Sequence, residues 1–195
     1  MYLITARVLR GLAVCAIGAA TMAASAVVAV AADVAVMPRV RSSHAYIRAM
    51  IEEAAQRSDT FRRLVKAIEA TNGIVYVEQG ACGHSVRACL SLHVTEAAEY
   101  RILRVIVDAR QPDWEVMSSI GHELQHALEV LGNLTLTNME KVFLFYSREG
   151  TSRDDSFETA AAVKTGDAVR NEVGSYARRN WSQIVPQNNQ PVPPW

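Results

Sequence analysis

The sequence predicts an α+β fold in which helices flank a small three-stranded sheet. Apolar residues recur at helical spacing from Ser42 to about residue 70, and again after Asp113. Between these two stretches, residues 73–109 are rich in Val, Ile, Leu and Tyr with partial alternation, which is typical of strands. A chain of 195 residues fits one domain with extensions, and the sequence contains no evident repeat.

The first 32 residues have the layout of a secretory signal peptide. Arg7 and Arg10 precede an apolar run from Gly11 to Ala32, which ends in small residues suited to cleavage. The run is also long enough to span a bilayer, so a retained membrane anchor is the alternative. We expect cleavage, which predicts a secreted or periplasmic protein without a membrane segment. A flexible linker (33–42), a domain (43–178) and a Pro/Asn-rich tail (179–195) would follow.

The charge and the cysteine content of the chain indicate which binding partners and which cellular compartment to expect. Without Arg7 and Arg10, 18 of the 20 basic residues remain against 20 acidic residues, and no basic stripe is present, which argues against nucleic acid. Cys82 and Cys89 are the two cysteines left after cleavage, and an even number in an exported protein indicates one disulfide. The alternative, a metal site that combines them with His84, lacks a second pair of ligands.

Two helices are predicted before the strands. Ser42 or Ser43 can cap the first, and Ser58 or Asp59 can cap the second. Gly73 stands where a glycine commonly ends a helix.

Three strands are predicted at residues 73–79, 88–94 and 100–109. The first two are expected to form a hairpin joined by the Cys82–Cys89 disulfide. The third is apolar on both sides at Val105, Ile106 and Val107, which indicates a more buried position.

Three helices are predicted after the strands. Asp113 can cap a long helix that ends at Gly132. A short helix is expected around residues 140–146, and another over about 157–176, capped from within residues 152–156.

The long helix carries two histidines four residues apart, His122 and His126, with Glu123 directly after the first. At this spacing both imidazoles lie on one helical face and can bind one ion, while Glu123 can reach a water molecule as a general base. A stripe of apolar residues lies nearly opposite the histidines: Met117, Ile120, Leu124, Ala127, Leu128 and Leu131. We therefore expect the stripe to face the core and the histidines to face a site; a merely solvent-exposed face is the alternative.

The segment "IGHELQHAL" resembles the active-site helix of the zincin metallopeptidases, in which the two histidines bind zinc and the glutamate is the catalytic base. The resemblance implies a zinc-dependent metallopeptidase, a peptide or protein substrate, and a minimal zincin-like domain whose sheet edge pairs with the substrate. The specific match covers roughly ten residues, and a looser architectural match runs from Ser43 to Tyr176. The later segment "FETAAA" is similar to that of small secreted bacterial proteins with the same motif.

The third ligand must be a carboxylate if the site is of this kind. No histidine follows His126, and the place of the third histidine of metzincins is taken by Gly132, so the resemblance is to glutamate-type zincins. The candidates are Glu129, Glu140, Glu149, Asp154, Asp155, Glu158, Asp167 and Glu172.

Glu158 is our preferred third ligand. It is expected near the start of the last helix, where the small residues Ala161, Ala162 and Gly166 would allow a close approach to the motif helix. A first-turn glutamate favoured by the helix dipole is the alternative interpretation. Glu129 lies one turn beyond His126, so we expect it beside the site rather than on the ion. The glutamate-type pattern has a carboxylate four residues after the third ligand, where this chain has Ala162.

Peptide hydrolysis also needs a group that stabilises the oxyanion. Tyr176 is predicted for this catalytic role, and Tyr146, His93 and Arg170 are further candidates, each with ordinary packing or surface exposure as the alternative. Two other functions remain open: a catalytically weak or inactive zincin-like protein that binds peptide or metal, and a periplasmic binding or scaffold domain without metal.

Overall fold

A computed structural model describes residues 37–83, 86–153 and 156–184. The predicted signal peptide, His84, Asp154, Asp155 and the tail from residue 185 lie outside the described residues. The described ranges contain five helices and a mixed sheet, which confirms the α+β class in its coarse form, but the main sheet has five strands instead of the three predicted. No helix in these ranges combines the length and apolar character that a membrane span requires.

The elements follow one another in this order: β1 (Val40–Arg41), α1 (Ala45–Arg57), α2 (Asp59–Glu69), β2 (Gly73–Gln79), β3 (Ala88–Leu90), β4 (Thr95–Ala97), β5 (Tyr100–Val107), α3 (Asp113–Gly132), α4 (Met139–Glu149), β6 (Thr151–Arg153), β7 (Ser156–Glu158) and α5 (Ala160–Ile184).

Strand β5 lies at the centre of the main sheet. It pairs in parallel with β2 on one side and antiparallel with β3 and β4 on the other, and β1 extends the sheet beyond β2. The predicted hairpin between the first two strands is therefore wrong, because β5 lies between β2 and β3. Leu103, Val105 and Val107 on one face of β5 are fully buried, and Ile102 and Ile106 on the other are half-buried.

The predicted disulfide between Cys82 and Cys89 is present although β2 and β3 do not pair. After β2 the chain crosses β5 at Gly80, where a Cβ atom would lie 2.8 Å from Ile106 Cγ2. Cys89 is the register partner of Ile106 in β3. The close crossing at a glycine, rather than a hairpin, brings the two cysteines together.

Helix α3 is the central helix and packs on the sheet, α1, α2 and α5. Its predicted apolar stripe is buried, except that Leu128 is only half-buried. The helix ends at Gly132 as predicted, but Pro112 takes the N-cap position. Asp113 is the first helical residue, and its carboxylate instead accepts a hydrogen bond from the Tyr46 hydroxyl at 2.8 Å.

A buried arginine satisfies the carbonyl groups at the C-terminal end of α3. Arg101, at the start of β5, is 3 % exposed. Its guanidinium donates to the backbone oxygens of Val130, Leu131 and Asn133 at 2.5 to 3.2 Å. These carbonyls lie at the C-terminal end of the helix, where a cation is favourable because of the helix dipole. Helix α3 is thereby fixed to the sheet.

The predicted caps of the first two helices are confirmed in part. Ser58 caps α2 by accepting from the Phe61 amide at 3.0 Å, whereas His44 precedes α1 and neither Ser42 nor Ser43 is its cap residue. Gly73 does not end α2, which stops at Glu69. It begins β2, where the side chain of Leu131 occupies the space that a Cβ atom would need.

Candidate metal site

The side chains of His122, His126 and Glu158 converge on one point. One ring nitrogen from each histidine and one carboxylate oxygen lie within 4.8 Å of one another, so the group could hold a metal ion. The histidines come from successive turns of α3, which buries the backbone around them. Glu158 was expected in a helix, but it is the last residue of β7, two positions before α5 begins.

Aromatic packing fixes the strand that carries Glu158. The neighbouring Phe157 ring stacks on Tyr146 with centroids 6.0 Å apart and meets Phe143 edge-on at 5.3 Å. Both partners belong to α4. On the other side of Glu158, Thr159 caps α5 by accepting from the Ala162 amide at 3.1 Å. Glu158 therefore lies between an anchored strand and a capped helix, which limits its movement.

A buried oxygen of Glu158 indicates what this arrangement can accept. Oε2 of Glu158 is buried and lies 3.0 Å from His122 Nε2, and no other described group donates to this oxygen. A buried carboxylate oxygen is costly without a cation beside it, and either a protonated His122 or a metal ion could be that cation. The close contact with His122 nevertheless holds the pKa of Glu158 below its usual value, against the effect of burial. Burial would lower the pKa of His122, but Glu158 and Glu123 outweigh it and raise that pKa.

Glu123 lies beside this group and is only 7 % exposed. Its Oε1 is 4.0 Å from His122 Nε2, and its carboxylate accepts a hydrogen bond from the backbone amide of Leu90 in β3. Burial raises the pKa of Glu123, and the two histidines oppose that shift. A carboxylate with a raised pKa next to a possible metal is suited to accept and return a proton.

A second carboxylate, Glu129, connects two of the converging residues. Its Oε2 lies 3.2 Å from His126 Nδ1, and its Oε1 accepts from the Thr159 hydroxyl at 2.7 Å. Burial acts to raise the pKa of Glu129, but the hydrogen bonds from His126 and Thr159 lower it overall. With Nδ1 of His126 engaged, Nε2 is the nitrogen left to bind an ion. Glu129 thus lies beside the site as expected, in contact with both His126 and Thr159.

Helices α3 and α5 run antiparallel and approach closely at two glycines. A Cβ atom on Gly166 would lie 3.2 Å from His122 Cβ, and one on Gly121 would lie 2.9 Å from Val169 Cγ2. The Ser118 hydroxyl donates to the Gly166 carbonyl at 3.0 Å. The close approach predicted at Gly166 is therefore present. Ala162 is buried as well, whereas Ala161 is exposed.

The site opens into a cleft of about 270 Å³. Strand β3 and the residues before it form one wall, α3 forms the floor, and α5 with Glu158 forms the other wall. The lining residues are Val86, Arg87, Ala88, Ser118, Ser119, His122, Glu123, Glu158, Val163, Gly166, Asp167 and Arg170.

The structure does not bring Tyr176, predicted as catalytic, to this cleft. Tyr176 lies ten residues beyond Gly166 on α5, about 15 Å along the helix axis. The guanidinium of Arg57 lies over its ring, 5.4 Å from the ring centroid. The helical pattern that suggested Tyr176 does not reveal how far α5 continues past the site.

The other predicted oxyanion candidates differ in position. The Tyr146 hydroxyl is buried and donates to the His126 backbone oxygen at 2.9 Å, and burial raises the pKa of this phenol. It therefore positions α4 on α3 instead of facing the cleft. His93 is exposed and does not line the cleft, whereas Arg170 does. Among the remaining third-ligand candidates, Glu172 binds the start of α2 through Ser58 and Thr60.

Sequence reasoning missed Thr159, Arg87 and Glu115. Thr159 could have been found as an N-cap, since a threonine before three alanines is a common helix start. Arg87 and Glu115 have no motif and are brought to the cleft only by the fold. Comparison of the chain with protein-family models, curated proteins and solved structures finds no match.

Proposed function

We propose that this protein is a zinc-dependent metallopeptidase. The observation that carries the proposal is the convergence of His122, His126 and Glu158 on one point. The buried carboxylate of Glu123 lies directly beside that point.

The donor set suits zinc better than other common ions. Two imidazoles and one carboxylate make the three-ligand set of a catalytic zinc site, in which the fourth position remains open. Calcium and magnesium prefer sites made entirely of oxygen atoms. A zinc ion held there would acidify a water molecule and polarise a substrate carbonyl group. His122, His126 and Glu158 would bind the ion, and Glu129 would hold the ring of His126 in its binding orientation.

Glu123 carries the proton in this proposal. Its carboxylate accepts a proton from the attacking water and later donates it to the amine that leaves when the peptide bond breaks. The carboxylate lies beside the Leu90 amide and lines the cleft. Because burial raises the pKa of Glu123, the group is a stronger base than an exposed glutamate.

Strand β3 offers an edge to an extended substrate. In the described sheet, β3 pairs only with β5. The Ser91 amide donates to the Arg104 carbonyl, and the Arg87 carbonyl accepts from the Asp108 amide. Because backbone groups alternate in direction along an antiparallel strand, those of Ala88 point away from β5. Ala88 lines the cleft. An added strand of substrate would therefore lie across the site.

Metal content and hydrolysis test the proposal together. We expect one zinc per purified wild-type chain, loss of zinc in His126→Ala and Glu158→Ala, and full zinc in Glu140→Gln, a control on the exposed surface of α4. Glu123→Gln should keep its zinc but lose hydrolysis of an unstructured quenched-fluorescence peptide.

The outcomes separate the alternatives. A wild-type chain without zinc would refute the proposal, and zinc retained by Glu158→Ala would refute that ligand. Bound zinc without hydrolysis would instead indicate a binding protein. Export to the periplasm or outside the cell is part of the proposal, and the Cys82–Cys89 disulfide supports an oxidising compartment.

A further inference from the structure

Two arginines share one buried glutamate at one end of the cleft. Glu115, whose side chain is 10 % exposed, accepts at its Oε2 from Arg87 Nη1 at 2.7 Å and from Arg170 Nη2 at 3.0 Å. Arg87 comes from the segment before β3 and Arg170 from α5. Two positive charges therefore face each other across the cleft with a single carboxylate between them.

This cluster retains unused charge and unused donors. A guanidinium has five N–H groups, and each arginine uses one of them on Glu115. The side chains of Arg87 and Arg170 are 59 % and 45 % exposed, so these donors are open to a ligand. Within the described residues, neither arginine forms an ion pair with another carboxylate. Asp167 also lines the cleft, but it borders a neighbouring cleft as well and pairs with neither arginine.

The distance between this cluster and the metal site can be expressed as a number of residues of an extended substrate. Glu115 and His122 lie on the same face of α3, seven residues apart, which is about 10 Å along the helix axis. The chain covers the same distance from Arg87, which binds Glu115, through β3 to Leu90, whose amide lies beside Glu123. An extended peptide advances about 3.3 Å per residue, so about three residues separate the two points.

We propose that Arg87 and Arg170 bind a carboxylate of the substrate, about three residues from the bond that is cleaved. The inference rests on the proposed peptidase function and adds a substrate class to it. Guanidinium groups prefer carboxylates because their fork of N–H donors matches two oxygens. A peptide can supply this group from an aspartate or glutamate side chain or from its C-terminus. Glu115 keeps the two arginines in position, and its negative charge reduces the repulsion between them.

Binding to a protein that cannot hydrolyse its ligand tests the inference. The Glu123→Gln protein would be titrated with three peptides that carry a fluorophore at the N-terminus. The first has one glutamate between two runs of three alanines and an amidated C-terminus, the second has glutamine in place of that glutamate, and the third contains only alanine and has a free C-terminus. We expect one of the two carboxylate peptides to bind about tenfold more tightly than the glutamine peptide. The peptide that does so identifies the source of the carboxylate.

Substitution of the arginines distinguishes this cluster from other sites of binding. Arg170→Gln and Arg87→Gln, each in the Glu123→Gln protein, should remove most of the tenfold preference, and Arg104→Gln, an exposed arginine of β5, should leave it unchanged. Carboxylate binding directly to zinc would not depend on either arginine. If one arginine variant does not fold, the other variant and the comparison of the three peptides on the Glu123→Gln protein still test whether the arginines bind the carboxylate.

Equal binding of all three peptides, or a preference that survives both arginine substitutions, would overturn the inference. These outcomes require neither zinc nor turnover. The peptidase proposal fails separately, through wild-type zinc content and hydrolysis, so the two failures are distinguishable.

Discussion

The carboxylate of Glu129 is the most informative single group to change. Its side chain is 15 % exposed and joins His126 Nδ1 to the Thr159 hydroxyl, next to Glu158. One residue therefore orients a proposed metal ligand on α3 and the residue that follows a proposed ligand on β7. Glu129→Gln keeps the size of the side chain while removing the charge.

We expect Glu129→Gln to weaken zinc binding by 10- to 100-fold. Losing a carboxylate that orients a metal-binding histidine typically has this effect. In free energy the range is about 1.4 to 2.7 kcal/mol. The amide can still accept from His126 Nδ1 with its oxygen, but its NH2 group then faces the Thr159 hydroxyl, and the histidine becomes a weaker donor to the metal. Glu129→Ala removes both contacts and should lose more.

Competition with a chromophoric chelator at fixed pH measures the affinity. Glu140→Gln is the matched control, because it makes the same chemical change on an exposed turn of α4. Unfolding of the metal-free proteins shows whether the loss is only a loss of stability. An affinity within twofold of wild type in Glu129→Gln, or an equal loss in Glu140→Gln, would refute the reasoning.

Three further predictions concern the scaffold. Gly174→Ala should stabilise α5 by up to about 1 kcal/mol, because a Cβ atom there meets nothing within 4 Å. Gly166→Ala should lose that gain and weaken metal binding, because its Cβ atom would push on His122. Thermal unfolding and zinc titration compare the two variants, and equal stabilisation with unchanged zinc binding would contradict the prediction. Burial raises the pKa of Glu172, but hydrogen bonds at the start of α2 lower it overall, so its stabilisation is present above pH 4.5, the ordinary value, and is lost as the pH falls through the lower folded pKa. Urea unfolding from pH 7 to 3 should therefore show wild type and Glu172→Gln converging in acid, and a constant difference would count against it. Replacing Cys82 and Cys89 with serine should lower the free energy of unfolding by about 2 to 3 kcal/mol, the value for so short a loop; an unchanged urea midpoint would show that the loop is rigid without the bond.

The sequence predicted the elements whose signals are local. Helix α3 could be bounded at Asp113 and Gly132 because its periodicity is strong and its ends are marked by proline and glycine. The face that carries His122 and His126 followed from the same periodicity. The cap at Ser58 followed from side-chain chemistry that needs only the next three residues.

The predictions that were wrong concern features that depend on contacts between residues distant in sequence. β2 pairs with β5 instead of β3 although β5 comes last of the three, and the residue pattern within each strand does not encode that order. Glu158 was expected on a helix because its neighbours are alanines, but Phe157 packs on α4 and keeps the segment extended. Tyr176 lies on the predicted helix yet too far along it. Arg87 reaches the cleft only because the chain crosses β5 at Gly80.

The link between Glu129 and Thr159 also defines how other chains built in this way can be recognised. Each residue of the site has a geometric reason for its position. Together they form a sequence pattern with fixed spacings, His-Glu-x2-His-x2-Glu, followed later by Glu-Thr-x6-Gly. The first part covers one face of a helix, and the second covers a strand end, a helix cap and a close helix crossing. Such a pattern can be searched for in genomes where overall similarity has decayed, and it requires no match outside the site.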